Sequence, residues 1–124
     1  MDSLRPDRDK AKPAAHPEYF EGHVLMQSLV GPDTSRELEV LAVFFEHGAR
    51  TTPHTHTTDQ LLYVHSGTCL VDDGTGRREF AAGSYILLPA HRWHWHGAAP
   101  GQTMCHLSIR QPGPTDWTVE RRDW

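Results

Sequence analysis

Histidine is the residue type that stands out in this chain, and its placement matters more than its number. Ten of the 124 residues are histidine, and eight of those lie between His47 and His106. Four of them form two H-x-H pairs, His54/His56 and His94/His96. Residues two apart on a strand project from the same face, so each pair offers two imidazoles to one side of a sheet. Gln60 follows His56 by four positions. It keeps the same parity along an extended chain, and a turn through Thr57, Thr58 and Asp59 also brings it back. Two imidazoles and an amide oxygen converging on one point make a mixed N/O site for a divalent metal. If the strand carrying His94 lies beside His54 and His56, His94 supplies a fourth ligand and His96 sits one pleat further along the cavity. A lone histidine on a strand is an ordinary surface or core residue. A cluster is different, because each buried imidazole left unpaired costs about 1–3 kcal/mol.

Proton-transfer groups are expected next to this site. His96 shares the inward parity of His94. His106 lies on a run from Thr103 to Arg110 in which Met104, His106 and Ser108 share a face. Either imidazole can titrate near neutral pH and move a proton. His96 is the expected acid/base nearest the metal. His106 is expected as its partner, or as a group that orients a ligand. His47, His65 and His91 have no partner by spacing and read as surface or loop residues.

The elements that must position these groups are short strands. VLMQSLV, ELEVLAVFF, QLLYVHSG, TCLVDD, RREFA, SYILLP, RWHWH and TMCHLSIR alternate with turn clusters such as GPDTS and GTG. Glycine or proline separates most of them, and no stretch sustains a 3.6-residue apolar period. This pattern predicts an all-β fold, a sandwich or a barrel. Residues 1–18 are charged and proline-bearing and read as a flexible arm or an edge extension. Residues 19–112 hold the barrel. Residues 113–124, with Trp117 and Trp124, form a tail that packs across the barrel or a partner subunit. Val40, Ala42 and Phe44 alternate with Leu41, Val43 and Phe45, so one of these sets lines the cavity. Trp93 and Trp95 have the opposite parity to the histidines and are expected to pack an outer sheet or a dimer face.

Composition removes several classes of function. Lys plus Arg is 12 against 16 Asp plus Glu, a net charge of −4. That balance is wrong for nucleic acid and for anionic membranes. Cys69 and Cys105 form no CxxC pair and read as small buried hydrophobes. MDSLRPDRDKAKP has no apolar core of a secretory signal, so a cytoplasmic location is expected. The partner expected is a small-molecule substrate.

These residues resemble the cupin superfamily. Gly48, His54, His56 and Gly67 fit its first motif, G-x5-H-x-H-x3-E-x6-G, with Gln60 in the glutamate place. Gly83, Pro89 and His94 fit the second, G-x5-P-x-G-x2-H-x3-N, with His91 for the glycine and Ala98 for the asparagine. The resemblance implies a small antiparallel β-barrel, or jelly roll, holding one divalent ion through His54, His56, Gln60 and His94. That ion is Mn, Fe, Ni or Zn. HTH-x3-Q, HWHGA and M-x-H are also similar to the small bacterial cupins with hydroxynitrile lyase activity, which bind manganese. In that comparison His96 and His106 match pocket histidines. The resemblance also implies a homodimer. It leaves open a dioxygenase, a polyketide cyclase, an isomerase or a ligand-binding barrel without catalysis.

Gln60 favours one of these chemistries. Three imidazoles and an amide leave the +2 charge of the ion uncompensated by its ligands. Such a centre is the stronger Lewis acid and favours an anionic oxygen. Glutamate would instead support higher oxidation states. Gln60 thus favours Lewis-acid over redox chemistry, and the resemblance to the small bacterial cupins implies a metal-dependent, lyase-like enzyme.

Overall fold

The computed structural model describes residues 1–122, and Trp124 lies outside the described residues. The strands, in chain order, are β1 (Lys12–Pro13), β2 (Phe20–Glu21), β3 (Val24–Val30), β4 (Glu39–Phe45), β5 (Arg50–Thr51) and β6 (Thr55–His56). There follow β7 (Gln60–Ser66), β8 (Thr68–Asp72), β9 (Arg77–Ala81), β10 (Tyr85–Leu88), β11 (Trp95–Ala98), β12 (Met104–Arg110) and β13 (Thr115–Asp116). Two 3-10 turns, Arg8–Lys10 and Pro17–Tyr19, are the only helical elements among the described residues. None is long and apolar enough to cross a membrane.

The strands close into the expected antiparallel β-barrel of jelly-roll type. One sheet has the order β1-β3-β4-β12-β7-β10, and the facing sheet has the order β2-β5-β11-β8-β9. A two-stranded ribbon pairs β13 with β6. Period-two alternation decides what enters the interior. On β7, Gln60, Leu62 and Val64 are buried, while His65 is exposed. On β4, Leu41, Val43 and Phe45 line the cavity, so Val40, Ala42 and Phe44 take the other face. Val24, Val43, Phe45, Leu62, Val64, Ile86 and Met104 belong to the apolar core between the sheets.

The chain ahead of β2 lies along one edge of the barrel. Lys12 pairs with Met26 and Pro13 with Leu25. Asp7 donates its backbone N–H to Gln27 Oε1 at 2.8 Å.

Two local devices aim the site residues. Between β7 and β12 the register shifts at Cys105/His106, a bulge that re-aims the side chain beside it. Gly67 turns the chain from β7 into β8 with φ +78, and a Cβ there would stand 2.3 Å from the Thr103 carbonyl oxygen. Glycine alone meets both demands. Both cysteines are buried free thiols, and burial pushes each up to about 12. They are unreactive packing groups, as expected.

Candidate metal centre

His54 and His94 face each other across a single antiparallel bridge. His54 N–H donates to the His94 carbonyl at 2.9 Å, and His94 N–H donates to the His54 carbonyl at 3.1 Å. This exchange brings the two imidazole centroids to 4.3 Å. His56, two residues on, projects to the same side, with its ring 4.9 Å from that of His54 and 5.3 Å from that of His94. One ligand atom from each of the three lies within 4.8 Å of the other two. All three side chains are buried.

Hydrogen bonds at the back of His54 and His94 fix their tautomers, and one to a hydroxyl holds His56. His54 Nδ1 is 2.7 Å from the Thr52 carbonyl, and His94 Nδ1 is 2.8 Å from the Arg92 carbonyl. A carbonyl only accepts, so both Nδ1 atoms carry the proton and both Nε2 atoms keep a lone pair. His56 Nδ1 lies 2.9 Å from Thr115 Oγ1, and a proton donated there leaves its Nε2 in the same state. Gln60 is held by its nitrogen, with Nε2 donating to Ser108 Oγ at 2.8 Å. Its Oε1, together with His56 Nε2 and His94 Nε2, is buried without a hydrogen-bond partner among the described residues. Buried acceptors anchored from behind, three of them imidazoles whose ligand atoms converge within 4.8 Å, are a donor set that fits a divalent cation.

The electrostatics point the same way. Burial pushes His56 down to about 3, assisted by the nearby Arg110 charge, and burial pushes His94 down to about 4. His54 is lowered well below its ordinary value, first by burial and then by His94. At neutral pH these rings are uncharged, the state in which imidazole binds metal.

A second pair of imidazoles stands beside the triad. His106 Nε2 and His96 Nδ1 are 2.9 Å apart, a hydrogen bond between two fully enclosed rings. The His96 ring stacks at 5.6 Å on that of His94 and lies 5.4 Å from that of His54. Phe45 packs against both members of the pair. His96 is lowered well below its ordinary value by burial and by His106, and burial brings His106 down to about 4, so neither ring titrates near neutral pH as the sequence led one to expect. Both rings reach a cavity of about 100 Å3 whose other walls include Leu41, Val43, Phe45 and Trp117. That geometry can pass a proton between a bound molecule and the interior pair.

His47, His65 and His91 are exposed, as their spacing led one to expect. Trp95 is buried and packed within this chain, with Arg50 and Arg77 over its ring at 4.7 and 5.2 Å. Trp93 donates to the Glu120 carbonyl and lies under Arg122. Sequence reasoning missed three groups at the cavity: Arg110, ion-paired to Glu39 at 3.4 Å, and the tail residues Thr115 and Trp117. Arg110 continues the face of β12 that carries Met104, His106 and Ser108, so strand parity was a signal that could have found it. The only signal for the tail was a tryptophan in an otherwise polar stretch.

A family model described as Cupin domain matches residues 41–109. The (R)-mandelonitrile lyase of Granulicella tundricola is 34% identical over 95 residues, covering 76% of this chain and 72% of that protein. Among solved structures, a cupin-like protein from Thermotoga maritima superposes with a TM-score of 0.84 at 28% identity, over 98% of this chain and 92% of that one. The polyketide cyclase RemF from Streptomyces resistomycificus superposes with a TM-score of 0.77 at 22% identity, over 99% of this chain and 89% of that one, a likeness of fold.

Proposed function

The chain belongs to the cupin family, and on that footing we propose that it is a metal-dependent lyase acting on a small oxygenated molecule. Reversible cleavage of a cyanohydrin is the reaction proposed. The observation that carries this reading is the convergence of anchored Nε2 and Oε1 acceptors beside the hydrogen-bonded His96–His106 pair. His54, His56, Gln60 and His94 would hold the ion. The mixed N/O donor set suits Mn, Fe, Ni or Zn, and manganese is the ion we propose. When bound, it supplies Lewis-acid stabilisation to an oxygen on which negative charge develops. Gln60 adds no charge of its own, so that stabilisation is undiluted.

His96 takes the hydroxyl proton of the substrate. The carbon–nitrile bond then breaks, a carbonyl forms, and cyanide leaves with its electron pair and takes the proton held by the His96–His106 pair, departing as hydrogen cyanide. In the reverse direction the same ring returns the proton. His106 shares the proton load through the 2.9 Å bond and keeps the His96 ring in place. Leu41, Val43 and Phe45 keep that exchange away from bulk water. The relative named as a mandelonitrile lyase supports this class of substrate.

The test is turnover of a panel of aromatic and aliphatic cyanohydrins by Mn-loaded protein. We expect cleavage by the wild type and a loss of about 10²–10⁴-fold in His96→Ala, as for removal of a positioned base. Unchanged turnover in that variant removes His96 from the mechanism. Oxygen uptake by Fe-loaded protein, coupled to consumption of a diketone or catechol, would replace the lyase reading with a dioxygenase.

We propose in addition that two copies pair through the outer face of the six-stranded sheet. Tyr85 and Leu87 are 67% and 63% exposed. They stand in register with Tyr63 and Leu61 on β7, which in turn face Leu107 and Ile109 on β12. Those three strands make one continuous apolar block, the kind of patch that marks an interface.

A further inference from the structure

The tail segment carrying β13 touches the candidate metal centre at two independent points. Thr115 lies opposite His56 in the β13–β6 ribbon, and its Oγ1 is 2.9 Å from His56 Nδ1. Two residues further on, the Trp117 indole covers the His54 imidazole with a centroid distance of 4.3 Å and an interplanar angle of 35°. That indole is also stacked flat on Tyr19, at 4.4 Å and 1°. Trp117 is therefore held by two rings, Tyr19 and His54. The root of the segment is tied down as well. Arg110 donates to the Gly113 carbonyl at 3.1 Å, and Thr58 Oγ1 donates to the Gln111 carbonyl at 3.0 Å.

Two of the three imidazoles thus depend on a stretch of chain that lies outside both histidine motifs. We propose that residues 113–117 form a strap that retains the metal, with Thr115 and Trp117 as positioning residues for His56 and His54. This rests on the metal-binding reading above. The Thr115 hydroxyl accepts the Nδ1 proton of His56, which fixes the tautomer that leaves Nε2 bare for the ion. Trp117 blocks rotation of the His54 ring and covers the centre from solvent. Metal leaves only when the strap lifts, so weakening either contact speeds release.

The experiment uses full-length protein loaded with Mn2+ and challenged with excess EDTA at neutral pH. The metal release rate is followed in the wild type and in Thr115→Val, Thr115→Ser, Trp117→Ala and Trp117→Phe. Partners that orient a metal ligand are worth about 10–100-fold in metal affinity. We expect Thr115→Val and Trp117→Ala to release metal about 10-fold faster or more by that measure. Thr115→Ser keeps the acceptor and should stay near the wild-type rate, and Trp117→Phe should fall between wild type and Trp117→Ala. The serine variant separates lost orientation from general loosening of the tail. Equal rates in wild type, Thr115→Val and Trp117→Ala overturn the strap and leave the metal centre standing. A Thr115→Ser protein as fast as Thr115→Val overturns the role given to the hydroxyl. A wild type that takes up no Mn2+ overturns both readings.

Discussion

Each imidazole of the centre is defined by what stands behind it. Carbonyls or a hydroxyl occupy Nδ1 of His54, His56 and His94, and burial removes the alternative of protonating Nε2. This has a consequence for stability in the metal-free protein. An unfolded histidine titrates near 6.5, whereas His94 and His106 titrate near 4 and His56 near 3 in the fold. Between those values the unfolded chain binds more protons, so stability rises with pH there. The contribution is fully present above about pH 6.5 and is lost as pH falls toward about 4. For the enclosed His106 alone the shift corresponds to about 3 kcal/mol. Denaturant midpoints of EDTA-treated protein from pH 7 to pH 4 should fall steadily, and a flat profile would show that these rings are charged or exposed. The participants were legible from sequence because H-x-H on a strand can only present both rings to one side. The anchors were not, since Thr52 and Arg92 act through backbone carbonyls that no side-chain pattern reveals.

Strands and turns were legible to different degrees. Alternation on β12 placed Met104, His106 and Ser108 on one face, whereas on β4 it gave two sets and only the structure shows that Leu41, Val43 and Phe45 enter the barrel. Turn geometry gives a prediction of its own. His91 sits where the second cupin motif has glycine, and it takes φ 65, a left-handed conformation. Its N–H donates to the His56 carbonyl at 2.7 Å, so the strained turn also holds the first histidine motif. An L-residue there costs about 1–2 kcal/mol, of which glycine's larger unfolded-state entropy returns up to about 1 kcal/mol. His91→Gly should therefore leave stability unchanged or raise it by up to about 1 kcal/mol, measured by urea denaturation. A loss of more than that would mean the exposed imidazole makes a contact of its own. The tail ribbon escaped sequence reading because β13 is two residues long and carries no periodic pattern. Its pairing with β6 is dictated by the tertiary fold.

The molecule as a whole puts its polar cluster inside and a broad apolar block outside. Trp93 and Trp95, expected from sequence to pack an outer sheet or a dimer face, are engaged within the chain, under Arg50, Arg77 and Arg122. The surface we propose for a second copy is Leu61, Tyr63, Tyr85, Leu87, Leu107 and Ile109. Light scattering should give twice the chain mass. Leu87→Glu, which places a charge on the most exposed strand of the block, should shift the protein to monomer. A monomeric wild type would remove this interface. The fold and the choice of site residues follow from local pattern, whereas the proposed dimer face is one that only register assembles from three strands.

Metal content decides the account most directly. Protein refolded or dialysed with Mn2+ and freed of excess should hold about one ion per chain by elemental analysis, with His94→Ala and His56→Ala holding less than about a tenth of that, since each removes an irreplaceable donor. A wild type without bound ion, or histidine variants that retain the full amount, would mean that these buried lone pairs serve something other than a cation.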